Sequence, residues 1–380
     1  MRIIHISPSY KPAYIYGGPT ISIAKLCEVL SKKSTVEVMT TTANGKTELK
    51  VSSKSPVIVE GVSVQYFNRI TKDHTHFSPC LLWNLYKRLR KSKIITIIHI
   101  HSWWNLVAIF SCIIAKITKT PIILSPRGTL TAYTFDNRNA IYKSLFHRIT
   151  GKFLIATCHI HATSDQEKRD ILKTSNPKSI TVIPNFITIP PTDYFKPYIP
   201  YNISPFKLIF LSRIEEKKGL EVLFESLANC TFSWRLIIAG MGDPKYIEKL
   251  KTLSESLKIS TSLTWIGYVA NEEKYKVLNN HDLFVLFSYN ENFANVVMES
   301  LLSGTPVAIS SQVGLSDYIK ANDLGWVSEI NQRAIIDTLN AAFLDLEKRQ
   351  RISKSAPIFI KTHFLEEKIL NQYLHLYQNL

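Results

Sequence analysis

Paired cysteines are missing from this sequence. Its five, at positions 27, 80, 112, 158 and 230, are scattered with no C-x-x-C pair and no zinc-finger spacing, a usage that fits a reducing cytoplasm. Long apolar runs are missing too. The longest near the middle, LVAIFSCIIA (106–115), ends at Lys116, about half of what a bilayer span requires. The opening MRIIHISPSY has neither an apolar h-region nor a small-residue cleavage site, so no signal peptide is expected. There is no G-x-G-x-x-G, no helix-turn-helix, zinc or RNP pattern, no internal repeat and no low-complexity tract. These absences set aside disulfide-stapled secreted domains, membrane-spanning proteins, dinucleotide binders and the common nucleic-acid readers.

Acidic residues are scarce in one half only. Residues 1–190 carry 26 Lys+Arg against 9 Asp+Glu, a balance of +17, whereas the remaining 190 carry 20 against 21, a balance of −1. A field of that sign recruits phosphate, whether on nucleic acid, on anionic lipid or on a phosphorylated substrate. Composition alone does not choose among them.

What is present is a regular alternation of strand and helix patterns. At 380 residues, 45% hydrophobic with 17 Tyr, 18 Phe and 6 Trp, the chain suits two globular domains. In the second half KLIFLS (207–212), RLIIAG (235–240), LTWIG, LFVLF and PVAIS read as strands. Helical patterns over 217–228, 245–257, 271–279 and 294–303 separate them. Strands this apolar belong to a parallel sheet covered on both faces. RIIHIS, TVEVMT, IITIIHIH, PIILS and HIHATS repeat the grammar in the first half, with a helix over 19–31. Between the halves, residues 183–207 hold six of the 17 prolines and read as a linker. The expectation is α/β: a Rossmann-like domain over 1–190, a second over 191–365, and a terminal helix (366–380) packing back on the first. Two doubly wound domains place a ligand cleft at the carboxyl ends of their strands.

Three stretches carry candidate chemistry. In YIYGGPT, Gly17 and Gly18 lead from the first strand's loop into a helix with Pro19 near its start, where free amides suit an anion. In LSRIEEKKG, Arg213 follows a strand end and Lys218 lies five residues on; a guanidinium fork with an ammonium suits a diphosphate. In SYNENFANVVMESLLSGTPV, Glu291 follows a strand, Asn292 reads as a helix cap and Glu299 falls two turns into the helix. A carboxylate accepts two hydrogen bonds at once, which matches vicinal hydroxyls.

The order and spacing of these motifs resemble the glycosyltransferase family 4 group with the two-domain GT-B fold. The resemblance runs nearly the whole chain, through the Gly-Gly loop, HATSDQEKRDI, IPNF, SRIEEKKG, AGMGD, IGYV, the E-x(7)-E element and SGTPV. It implies that Arg213 and Lys218 hold a donor diphosphate, that Glu299 binds the nucleotide ribose and that Glu291 binds the transferred sugar. It further implies donor contacts from Gly17, Gly18, Gly240, Gly242, Tyr268, Asn292, Phe293, Ala294 and Asn295. Relatives commonly carry glycine where this chain has Ala294. Many carry a histidine where LSPRGTL places Arg127, and arginine is no general base at neutral pH; Arg127 is therefore expected to bind an anionic acceptor or the leaving phosphate.

His99 and His101, in IIHIHSWWN, are a possible metal pair with no third ligand in sight, and packing or cleft lining is favoured. His101 and Trp103 are expected near an acceptor, with core filling as the alternative for the tryptophans. The segment LLWNLYKRLRKSK (81–93) is aromatic on one side and basic on the other. It suits either an anionic membrane surface or packing on the sheet.

The resemblance implies retaining transfer from a UDP- or GDP-linked sugar to a lipid-linked or glycan acceptor in surface-polysaccharide synthesis. Arg213 and Lys218 would stabilise the departing charge. No cofactor, metal or nucleic acid is expected, and the location is cytoplasmic, at the inner face of the membrane. A sugar-nucleotide epimerase and a basic nucleic-acid-binding protein are the alternatives. A phosphorylase would want a pyridoxal-phosphate lysine, for which the sequence offers no support.

Overall fold

A computed structural model describes residues 1–136, 140–189 and 205–380. Most of the expected linker, and the domain boundary placed at 190, lie outside the described residues. The chain divides into two compact units, Met1–Phe186 with Glu366–Leu380, and Ile187–Leu365.

The first unit is built on an eight-stranded sheet. Its strands are β1 (Arg2–Ser7), β2 (Thr35–Thr41), β5 (Val57–Val59), β6 (Val62–Phe67), β7 (Thr96–His101), β8 (Ile122–Ser125), β9 (His159–Ala162) and β10 (Ser179–Val182). A small hairpin, β3 (Ala43–Asn44) with β4 (Thr47–Glu48), stands apart. The order is β10-β9-β8-β7-β1-β2-β6-β5, parallel except for the β5–β6 pair. All six residues of β7 and all four of β8 are buried, as sheets covered on both faces require. On one face Ile4, Ile98, Leu124 and Ile160 meet Leu81, Leu85, Val107 and Cys112 from the helices Pro79–Lys91 and Leu106–Ile117. Each such burial contributes about 1.5–3 kcal/mol. The basic-aromatic helix thus packs by its leucines, leaving Trp83 exposed under Lys87, whose ammonium lies 5.0 Å from the ring centroid.

The second unit holds β11 (Phe206–Leu211), β12 (Trp234–Ala239), β13 (Leu263–Gly267), β14 (Leu283–Leu286), β15 (Val307–Ser310) and β16 (Gly325–Ser328). They are ordered β13-β12-β11-β14-β15-β16 and all parallel. This is the doubly wound arrangement, whose crevice opens between the first and fourth strands, where the winding reverses. In the first sheet the reversal lies between β1 and β7. The fold is that of two Rossmann-like α/β units, as the strand patterns indicate.

Local chemistry shifts some boundaries. The helical pattern over 217–228 breaks at Gly219, whose φ of 69° ends a short 3-10 turn, and the helix proper is Leu220–Leu227. A Cβ at Gly219 would lie 2.2 Å from the Phe287 carbonyl oxygen, so the break is required by packing. The helix after β14 is Asn295–Leu302 with Ala294, not Asn292, at its cap position.

Candidate functional site

In the second unit the residues singled out from sequence gather at the reversal point. Arg213 and Lys218 follow β11; Glu291 follows β14. Lys218 Nζ and a Glu291 carboxylate oxygen form an ion pair, with the lysine side chain 5% exposed and the glutamate 20%. Burial pushes the Glu291 carboxyl up, but Lys218, Lys217 and Arg213 together bring it below the ordinary carboxylate range. Glu291 is therefore ionised at neutral pH and its loop is held by a bridge to Val313. Arg213 lies alongside, half exposed, its Nη1 2.5 Å from Glu215 Oε1.

Glu299, inside the helix Asn295–Leu302, is paired as well. Lys274 Nζ, on the helix Asn271–Asn279, donates to its Oε1 at 2.5 Å. Lys274 had no place in the sequence reading; the pairing spans 25 positions and no local pattern marks it. The second Glu299 oxygen makes no hydrogen bond to a described residue. Phe293 is buried, edge-on to Phe364 with centroids 6.4 Å apart, so its loop offers a ligand backbone rather than ring. Ala294 adopts φ 60°, ψ 69°, a left-handed conformation that disfavours any side chain. Asn295 opens the helix, and Tyr268 stands exposed beyond β13.

Gly240 and Gly242 are glycine for a reason within the protein. A Cβ at Gly240 would lie 1.8 Å from the Ser212 carbonyl oxygen, and one at Gly242 would lie 2.1 Å from that of Ile214. The loops after β11 and β12 are clamped backbone to backbone, with Ile214 bridged to Gly242. That clamp fixes where Arg213 emerges.

The first unit has its own polar centre at the carboxyl ends of β1, β7, β8 and β9. Gly17 (φ 65°) caps the helix Gly18–Ser31. A Cβ at Gly18 would meet nothing within 4 Å, and Gly18 and Pro19 at the helix start are exposed. Arg127, at φ 54°, is buried. Its Nη1 donates to Ser22 Oγ at 3.0 Å and to Asn185 Oδ1 at 3.2 Å, and its Nε to His101 Nδ1 at 3.3 Å. Its Nη2 makes no hydrogen bond to a described residue. Its hydrogen-bond partners among the described residues are all neutral. Glu167, bound to the Gly128 and Thr163 amides, acts on it only at longer range.

Four buried histidines surround this arginine, and fixed partners set their protons. Arg127 can only donate, so His101 Nδ1 accepts and its Nε2–H donates to His5 Nδ1, 2.9 Å away. His5 then carries its proton on Nε2, an atom with no described partner. At the other end the Ile183 carbonyl only accepts, from His161 Nε2 at 2.9 Å. Ser125 Oγ therefore donates to His161 Nδ1 and accepts from His99 Nε2, both at 2.6 Å. Tyr377 OH completes the run at His99 Nδ1, 2.7 Å away. Burial pushes His5 and His161 down to about 3, with the Arg127 charge acting the same way. Burial also holds His99 and His101 well below their ordinary range.

One sequence-based statement is corrected here. A third imidazole does stand beside His99 and His101: His5 brings a ring nitrogen within 4.8 Å of theirs. Parallel pairing of β1 with β7, which sets His5 against His99, produces the cluster; no local spacing could. Both ring nitrogens of His101 are engaged, Nε2 with His5 Nδ1 at 2.9 Å and Nδ1 with Arg127 Nε at 3.3 Å. Trp103 is fully buried and fills the core, while Trp104 donates to the Thr129 carbonyl at 2.6 Å.

Two doubly wound α/β sheets, with charged residues at the carboxyl ends of their strands, define the class of fold. Two family descriptions match the chain: Glycosyltransferase Family 4 over residues 16–189 and Glycosyl transferases group 1 over residues 200–358. The chain belongs to this glycosyltransferase family. An uncharacterised glycosyltransferase of Methanocaldococcus jannaschii is 26% identical over 174 residues, 45% of this chain and 44% of that protein. The putative colanic acid biosynthesis glycosyltransferase WcaL of Escherichia coli is 28% identical over 183 residues, 45% and 44% of the two chains. The chain thus spans less than half the length of these curated relatives. Anabaena HepE, solved in complex with UDP and glucose, superposes with a TM-score of 0.75 at 18% identity, covering 100% of both chains. Among the described residues, no helix is long and apolar enough to cross a membrane.

Proposed function

We propose that the protein transfers a sugar, with retention of configuration, from a nucleotide diphosphate sugar to a glycan acceptor of a surface polysaccharide. The observation that carries this reading is the placement of Arg213, Lys218 and Glu291 at the reversal point of the second sheet, with Glu299 close behind in sequence. There Arg213 and Lys218 take the diphosphate, Glu299 the ribose and Glu291 the hydroxyls of the sugar being moved. Gly240 and Gly242 act by fixing the Arg213 loop. Asn292 to Asn295 supply backbone amides, and Tyr268 borders the base.

Substrate binding has a direct electrostatic consequence. A diphosphate drawn to Lys218 competes with Glu291 for the ammonium, freeing the carboxylate for sugar hydroxyls. As the bond to the anomeric carbon breaks, charge grows on the leaving phosphate, and the cations are already in place. In the first unit the neutral histidines leave Arg127 as the main positive charge of a dry site. It suits an anionic acceptor, such as a glycan on a lipid diphosphate, or the leaving phosphate. The +17 balance of residues 1–190 supports an anionic partner and a location at the inner face of a membrane. HepE's UDP and glucose, and WcaL's colanic acid pathway, favour a UDP-linked hexose and a polysaccharide product.

The test is transfer from a panel of UDP- and GDP-sugars to short lipid-diphosphate glycans, with the anomeric configuration of the product read by NMR. Transfer with retention from one donor, lost in Glu291→Gln, is expected. Inversion, or hydrolysis and epimerisation without transfer, would overturn the reading.

A further inference from the structure

The helical run from Ala140 to Ile155 turns an apolar face to solvent. Ile141, Tyr142, Leu145, Ile149 and Phe153 are each more than half exposed, from 55% at Leu145 to 80% at Ile141. Four of them recur every fourth residue. In a regular helix of about 3.6 residues per turn such a spacing drifts around the axis, but here a π-helical turn, His147–Gly151, sits in the middle. Its wider turn winds the stripe back and keeps Ile149 and Phe153 in line with Ile141 and Leu145. The opposite face is anchored. His147, Leu154 and Ile155 are buried, Phe146 and His147 lie edge-on or tilted to Trp104 at 6.3 Å, and Lys143 Nζ donates to the Thr134 carbonyl at 3.0 Å. The stripe is therefore held outward by packing rather than by local disorder.

Charge names the occupant. No aspartate or glutamate occurs between Asp136 and Asp165, while Arg148 and Lys152 flank the stripe and are exposed. A second copy docking face to face would set these cations against their own counterparts. A surface of anionic headgroups over acyl chains complements both features at once. The helix Pro79–Lys91 is different, since its leucines are committed to the core.

We propose that the outward face of residues 141–153 inserts into the headgroup boundary of an anionic bilayer, seating the protein on the membrane that carries its acceptor. The purpose rests on the lipid-linked acceptor proposed above; the binding itself does not.

The experiment is co-sedimentation of the full chain with vesicles of phosphatidylglycerol and phosphatidylcholine, and of phosphatidylcholine alone. Ile149→Ser/Phe153→Ser and Arg148→Glu/Lys152→Glu are compared with the parent; a thermal melt of each variant reports folding, and UDP titration is run alongside. Binding to the anionic vesicles, weakened at least about tenfold in both double variants with UDP binding unchanged, is expected. No binding by the parent, equal binding to neutral vesicles, or undiminished binding by either variant would overturn the proposal. So would a parent dimer that the Ile149/Phe153 variant splits, because the face would then serve self-association. Failure of UDP binding alone, with vesicle binding intact, would count against the donor site and not against this surface.

Discussion

Lys218 and Glu291, separated by 73 positions, are joined as a buried ion pair between the loop after β11 and the loop after β14. Removing one partner strands the other without its counter-charge. Lys218→Met is expected to cost about 2–4 kcal/mol, below the full buried-pair penalty because Glu291 is partly exposed. In a unit of this size that lowers the melting temperature by roughly 5 °C or more. The double variant Lys218→Met/Glu291→Gln should recover part of the loss, and a thermal-melt cycle over the four proteins measures it. Independent, additive losses would show the pair to be incidental.

Ala294 occupies the left-handed region at φ 60°. That conformation costs a side-chain-bearing residue about 1–2 kcal/mol, and glycine's larger entropy in the unfolded chain offsets roughly half of it. Ala294→Gly is expected to stabilise by up to about 1 kcal/mol, and Ala294→Val to destabilise. Urea midpoints decide; a loss of stability in the glycine variant would mean that the alanine methyl contributes packing that outweighs the strain.

The histidine cluster makes stability pH-dependent. His5 and His161 sit near 3 in the folded state against about 6.5 unfolded. The unfolded chain therefore binds the extra protons. Stability is complete above about pH 6.5 and falls as pH drops toward 3, by up to about 1.4 kcal/mol per pH unit per histidine. Urea midpoints at pH 7.5 and 5.5 should differ clearly in this direction. A flat profile would mean that the rings titrate alike in the folded and the unfolded chain.

Arg127 is a buried cation whose hydrogen-bond partners among the described residues are all neutral. A residue kept for stability would not be placed this way, because burial without a counter-charge is costly. Arg127→Met should leave the melting temperature unchanged or raised while reducing sugar transfer by at least about a hundredfold, the scale of a lost charge-stabilising group. A large drop in stability with normal turnover of the folded fraction would assign the arginine a structural role instead.

Much of this was legible in the sequence where the signal was local. Continuous apolar runs marked the core strands, and the spacing of Glu291 and Glu299 marked a strand-loop-helix unit. The edge strand β5 and its neighbour β6 escaped because each is short and the run VIVEGVSV is broken at Glu60 and Gly61. The helical run 140–155 escaped because a π turn and outward apolar residues spoil the usual period. Long-range partners left no trace at all: His5 meets His101 across 96 positions and Tyr373 meets His161 across 212. The terminal helix Glu366–Gln378 supplies Tyr373 and Tyr377 to that cluster, a role that its amphipathic pattern does not announce. The glycines of AGMGD drew attention as ligand contacts, whereas backbone packing alone already requires them.

The central claim is a nucleotide-sugar site built on Arg213, Lys218, Glu291 and Glu299. Calorimetric titration of the purified protein with UDP, GDP and their common sugar conjugates tests it most directly, with Arg213→Ala and Glu299→Ala alongside. Saturable binding of one nucleotide series, weakened at least about tenfold in both variants while their melting curves stay within a few degrees of the parent, is the predicted result. A folded protein that binds no nucleotide, or binds one equally well in all three forms, would contradict it.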